Sequence, residues 1–319
     1  MSNKTLAPSA VVVTDRDPKG IKFMSVAAAA FNKARLLDGE EGTPEGEAQR
    51  VNEAQGLADL ITNYIEEHRY LNLYEDEEVP SKYGYFSGYK HPKPMHEQCE
   101  VLRKLFPGLG TAMDIAEDSR VIHQFGLGNI PDLPFAEGWF AIPNWVKHPE
   151  IFGTTYAEAV VEALDVLKTA RNGAFYNYRE GQITNKRVRQ TAKKLKAFDQ
   201  LSKEQGDPDI LTVPAQFGLR HAGRSVHRAT VKFARNEFGL GAFANIIMAI
   251  THPERLQHYD DLWIDCNGDE FDPDDDGEFS YAFYLDFSDG GVKFVAGDLG
   301  DANDGYGSTS GFLPQQPAS

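Results

Sequence analysis

The sequence predicts an α+β fold, with a helical N-terminal part followed by a mixed α/β part that ends in an antiparallel β-hairpin. Three patterns predict it. Val51, Ala54, Leu57, Ile61, Tyr64 and Ile65 share one face at helical spacing. Thr155 and Glu158 form a capping-box pattern ahead of an apolar run, Val160 to Leu167. Phe279, Tyr281, Phe283, Leu285 and Phe287 alternate with Ser280, Ala282, Tyr284 and Asp286, the period of a half-buried strand.

Residues 1–20 read as an arm, with a short strand at Val11-Val12-Val13 and a turn at Asp17-Pro18-Lys19-Gly20. An Ala-rich helix is expected over 22–37 and a polar linker over 38–46. Thr43 and Pro44 then serve as N-cap and first residue of the helix over 47–70. Residues 74–94, rich in Tyr, Pro, Lys and Gly, read as a long loop, which in a compact protein is usually functional or mobile. A short helix over 97–106 stops at Pro107-Gly108. The division expected is a mainly helical region over 1–115, a mixed domain over 136–314 and a frayed tail over 315–319.

In the second half, residues 138–145 read as a strand broken by Pro143. The capping-box helix stops at Asn172-Gly173. Thr184 opens another helix, with Val188, Thr191, Leu195, Phe198 and Ser202 along one stripe. A buried strand over 210–213, a helix over 224–235 and an apolar helix over 242–250 follow. Thr251 and Glu254 suggest a second capping box, and His252 then starts a helix. Residues 262–266 are strand-like, and Ser288-Asp289-Gly290-Gly291 is a hairpin turn.

Charge is sorted along the chain. Residues 254–319 hold sixteen Asp/Glu against two Lys/Arg, whereas residues 168–235 hold fifteen of the thirty-two Lys/Arg. The formal net charge of −16 argues against general duplex-DNA binding, although a local basic groove is compatible with it. The apolar share of 41% suffices for a packed core. Two cysteines, Cys99 and Cys266, are too few for a disulfide framework and point to a reducing compartment, with one bridge between them left open. No apolar run reaches the ~18 residues of a membrane span, so a cytoplasmic location is expected.

Two constellations carry candidate chemistry. Arg220, Arg224 and Arg228 recur every four residues beside Ser225 and His227, near a helix start, which suits a phosphate or nucleic-acid backbone. The competing reading pairs these arginines with the acidic C-terminal lobe. The second constellation is acidic: Asp265, Asp269, Asp272, Asp274 and Asp276. Asp272, Asp274, Asp276 and Gly277 resemble the opening of calcium loops of EF-hand type. Phe283 stands where that family has its bidentate glutamate, and strand-like segments replace the flanking helices. A solvated acidic turn is the alternative to bound Ca²⁺ or Mg²⁺.

Other patterns are weaker. His221 and His227, and His252 and His258, are six apart, too wide for a helical zinc pair. Gly239, Gly241 and Ala244 fit a dinucleotide fingerprint formally, but the charged residues before them do not suit a central parallel strand, so close helix packing is the simpler reading. Residues 305–311 place three hydroxyls between glycines, as a phosphate contact or a flexible turn. Cys99 follows His96 by three residues without a third catalytic partner. The basic run over 186–196, with Phe175, Tyr176 and Tyr178 nearby, suits nucleic acid or a solvated helix face.

Two functions follow as expectations. One is a binding or scaffold protein whose basic surface meets a phosphate-bearing ligand or nucleic acid. The other is a metal-dependent phosphate-ester hydrolase, with Asp265, Asp269 and Asp272 holding Mg²⁺ or Mn²⁺ and Arg220, Arg224 and His227 steadying the phosphate.

Overall fold

The computed structural model describes residues 73–109, 133 and 135–314, which belong to the unit Glu67–Ser319. The predicted arm, the helices over 22–37 and 47–70, and the tail lie outside the described residues. The described part is α+β, built on two sheets and a buried helix.

The first helix, α1 (Met95–Leu105), buries Met95, Gln98, Cys99 and Leu102 and carries Arg103 and Lys104 in its last turn, where they oppose the helix dipole. Gln98 is fully buried because its amide continues the hydrogen bonding of strand β1 (Gly138–Pro143). Its Nε2 donates to the Trp139 carbonyl at 2.9 Å and its Oε1 accepts from the Ala141 N–H at 2.9 Å. A short helix, α2 (Pro149–Phe152), leads to α3 (Tyr156–Ala170), which starts with the predicted capping box. The Thr155 hydroxyl accepts from the Glu158 N–H, and the Glu158 carboxylate accepts from the Thr155 N–H at 3.0 Å.

Strands β2 (Phe175–Asn177) and β3 (Val188–Gln190) and helix α4 (Ala192–Glu204) come next. The helix expected from Thr184 begins only after Thr191, whose hydroxyl caps it by accepting from the Lys194 N–H. Residues 188–190 instead pair with β7 (Asp269–Phe271), Val188 opposite Phe271, so strand pairing overrides the helical period.

Strand β4 (Ile210–Gln216) is buried throughout; α5 (Val226–Lys232) is shorter than predicted and capped by Ser225. Strand β5 (Glu237–Gly239) precedes α6 (Ala242–Thr251), which is buried on every side and packs on α1, α3 and β1. Thr251 ends α6 and does not cap a new helix: its hydroxyl donates back to the Ile247 carbonyl at 3.0 Å. His252 starts only a single 3₁₀ turn over Pro253–Arg255.

Strands β6 (Ile264–Asp265), β8 (Tyr281–Ser288), β9 (Gly291–Asp298) and β10 (Ser310–Phe312) complete the set. One sheet has the order β1-β4-β10-β5 and is antiparallel. The other runs β2-β9-β8-β7-β3, with β6 also on β8; its β2–β9 pair is parallel. The strand forms where the alternation predicts it and Phe283 and Leu285 enter the core, but Ala282 and Asp286 on the other face are buried as well, because β8 is covered on both faces there. Asp289 and Gly290 adopt φ of 50° and 74°, the left-handed pair a tight hairpin turn demands.

Residues 305–312 join the sheets. The Asp265 N–H donates to the Gly307 carbonyl at 3.0 Å, the Thr309 N–H donates to the Asp265 carbonyl at 3.2 Å, and the next three residues form β10. The Tyr-rich stretch over 74–94 is the irregular segment expected, but it is pinned: Tyr85 and Tyr89 donate to the Glu137 carboxylate at 2.6 and 3.0 Å. Cys99 and Cys266 are buried and unbridged. Among the described residues, no helix is long and apolar enough to cross a membrane.

Candidate functional site

A cavity of about 380 Å³ opens between the end of β1, the turn at Trp145, helix α4 and the start of α6. Ile142, Trp145, Phe198, Leu211 and Phe243 make its lining largely apolar, as in many small-molecule sites. Tyr156 and Lys194 supply the polar groups of one wall.

Lys194 is buried because of where it falls on α4. It shares a stripe with Ala197 and Leu201, both buried, so the helix turns its amine inward. The Lys194 side chain is 5% exposed, and Nζ donates to Asp269 Oδ1 at 2.5 Å and to the Tyr156 hydroxyl at 2.7 Å. The Tyr156 hydroxyl in turn donates to Asp269 Oδ2 at 2.6 Å, which also accepts from the Ala242 N–H at the start of α6. Three groups from α3, α4 and β7 therefore close a hydrogen-bonded triangle. Burial pushes the Lys194 ammonium below the ordinary lysine range against the opposing pull of Asp269. Burial, reinforced by the Asp269 charge, pushes the Tyr156 phenol well up.

Two glycine turns make room for this triangle. A Cβ on Gly241 would collide with Lys194 Nζ and both Asp269 oxygens, and one on Gly268 would lie 2.7 Å from Lys194 Cδ. The Gly239–Gly241 pattern is thus spent on close packing of the turn over 239–241 against the turn over 267–269, and β5 before it is an edge strand, not a central parallel one.

The arginines and acids of the two predicted constellations lie elsewhere. Arg220 Nε donates to both oxygens of Glu237, at 3.1 and 3.2 Å. Arg224 reaches Glu78 at 2.9 Å and Arg228 reaches the other Glu78 oxygen at 3.1 Å. Ser225 donates to Glu77 at 2.5 Å, and His227 stacks on Tyr74. The carboxylates facing the arginines thus come from the Tyr-rich stretch and β5; the pairing expected with the C-terminal lobe is absent among the described residues. That lobe is matched instead by the run over 186–196: Arg189 pairs with Glu270, Arg187 Nε donates to the Asp272 carbonyl at 2.8 Å, and Lys194 meets Asp269.

The five predicted acidic residues occupy separate settings. Asp269 is in the triangle. Asp272 folds onto its own turn, accepting from the Gly277 N–H at 2.8 Å and from the N–H groups of Asp274 and Asp276. Asp274 and Asp276 are exposed. Asp265 is 3% exposed, and its Oδ2 has no hydrogen-bond partner among the described residues. Burial raises its carboxyl to about 7, with Asp301 adding to the shift and Ser308 opposing it. Among the described residues no group of three or more His, Cys, Asp or Glu is disposed to hold a metal ion.

The remaining motifs are structural. Thr309 and Ser310 donate inward to the Asp265 carbonyl and to Glu237, at 3.0 and 2.6 Å. Cys99 is in the core while His96 is exposed. Tyr176 and Tyr178 are exposed, and Phe175 packs against the core. Tyr156 is absent from the sequence-based candidates and Lys194 enters them only as one member of the basic run over 186–196; the predicted stripe runs through Leu195, which is exposed, whereas the buried face carries Lys194, Ala197 and Leu201. Comparison with known protein families, with curated proteins and with solved structures found no match.

Proposed function

We propose that this is a binding protein whose cavity takes a small ligand with an apolar body and one hydrogen-bond-accepting end. One observation carries the reading. An ammonium has three donors, and Lys194 uses two of them on Tyr156 and Asp269 while lining a largely apolar cavity of about 380 Å³. An acceptor on the ligand would take the third, and the ring faces of Trp145, Phe198 and Phe243 would take its body.

The test is a thermal-melt series with small alcohols and carboxylates of increasing apolar size, cinnamyl alcohol among them. A ligand at about 100 times its dissociation constant adds ~2.7 kcal/mol of stability. Ala244→Phe, which fills the cavity from α6, is expected to abolish the shift while keeping the native circular dichroism. A series in which no compound shifts the melt, or in which the filled variant responds equally, would overturn the reading.

A phosphate-bearing ligand or nucleic acid at Arg220, Arg224 and Arg228 draws less support, because Glu237 and Glu78 already match those charges. The hydrolase reading is weakened in the same way, since Asp269 and Asp272 direct their oxygens at protein donors.

A further inference from the structure

We infer that Lys194 captures an aldehyde or ketone in the cavity as an imine, with Tyr156 and Asp269 moving the protons. The inference rests on the cavity reading and adds a covalent step to it. Three features of the triangle suit it. Lys194 is buried and lines an apolar cavity, where a carbonyl compound with an apolar body would lodge. A carboxylate stands at 2.5 Å to take the proton that an ammonium must lose before it can attack. A phenol stands between the two, accepting from Nζ at 2.7 Å and donating to Asp269 at 2.6 Å, so a proton can also pass through it.

The step balances without another reactant. Lys194 loses one proton to Asp269, directly or through the Tyr156 oxygen. The freed lone pair on Nζ attacks the carbonyl carbon, a C–N bond forms, and the π pair moves to oxygen. That oxygen takes a proton from Tyr156, which recovers it from Asp269, giving a carbinolamine still protonated on nitrogen. A second proton leaves nitrogen and is carried by the same route to the hydroxyl oxygen, and the freed nitrogen pair forms the C=N bond as the C–O bond breaks. Water leaves and an iminium remains on Nζ, so the sum is ammonium plus carbonyl giving iminium plus water. The same atoms run the reverse reaction, which releases the compound.

Burial of the Nζ positive charge favours the amine form that the attack requires. Trp145, Phe243 and Leu211 line the same cavity as Lys194.

The experiment uses the whole protein with cinnamaldehyde and sodium cyanoborohydride, followed by intact mass and peptide mapping. One adduct at Lys194, forming faster than on the surface lysines and slowed by cinnamyl alcohol, is the expected result. Tyr156→Phe should slow trapping tenfold or more. Lys194→Arg keeps a cation against Asp269 and should lose the adduct. Labelling spread evenly over the lysines, while cinnamyl alcohol still binds, would overturn the imine and leave the cavity reading standing. No melt shift with any compound of the series would overturn the cavity reading first. Mapping on the wild-type chain decides the matter even where a variant misfolds.

Discussion

The two basic regions of this protein invert what their sequences advertise. Around α5, three arginines are gathered within nine residues, yet each meets a glutamate, and Glu78 alone serves two of them. On α4, one lysine among several turns inward and lines a cavity. Density of charge therefore marks where the protein fastens its own segments together, here the Tyr-rich stretch to α5. A buried ion pair beside an apolar space is instead where the proposed ligand would bind.

The sharpest way to break this comparison is Lys194→Met. It leaves Asp269 buried without its cation and should cost about 3–5 kcal/mol, read by urea denaturation. A cost near zero would mean the triangle is not a working ion pair. Asp265 sharpens the contrast from the other side, because its carboxyl faces Ser308, Asp301, Tyr284, Tyr306 and Cys266 and, among the described residues, no cation. Its folded carboxyl titrates near 7 against an ordinary 3.8, so the folded state holds the proton more tightly. Stability then falls as pH rises between those values and stays low above them. Asp265→Asn should remove the fall, gaining about 2–4 kcal/mol at pH 8 and nothing at pH 4, which paired melts at both pH values would check.

On the arginine side, Glu237→Gln should cost about 2 kcal/mol, since it leaves Arg220 facing a neutral amide. Burial alone would raise the Glu237 carboxyl, but His221, Ser310 and the Ala234 N–H outweigh it and hold the value below 4.5. Its contribution is therefore present above pH 4.5 and lost as pH falls through the folded value, and the gap between wild type and Glu237→Gln should close in acid. The smallest effect belongs to Glu78→Ala, at about 1 kcal/mol or less, because that pair is partly exposed and screened by salt. A cost several times larger would show that docking of the Tyr-rich stretch hinges on this one carboxylate.

What the sequence disclosed was local. The alternation over 279–287 and the pairing of Thr155 with Glu158 lie within one element, so hydrophobic period and capping chemistry were enough to read them. Residues 184–191 misled because Val188, Thr191 and Leu195 fit a helical stripe, whereas the partner that pulls Val188 into a strand, Phe271, lies far along the chain. The site was hidden for the same reason. Lys194, Tyr156 and Asp269 come from three distant segments, and nothing in the spacing of one announces the others. The Asp272 turn looks metal-like in the sequence because carboxylates that would circle a cation and a carboxylate that collects its own N–H groups share one pattern of alternate aspartates.

The strand-to-strand crossing at residues 305–312 has a consequence for how the molecule comes apart. Main-chain hydrogen bonds run from β6 through Gly307 and Thr309 into β10, and from there to β4 and β5. This crossing ties an interior strand of one sheet, β10, to β6 of the other, so amide protons at Asp265, Thr309 and Gly311 should exchange together, on the slow timescale of global opening. A ligand that braces α6 from the cavity would then slow exchange in both sheets at once.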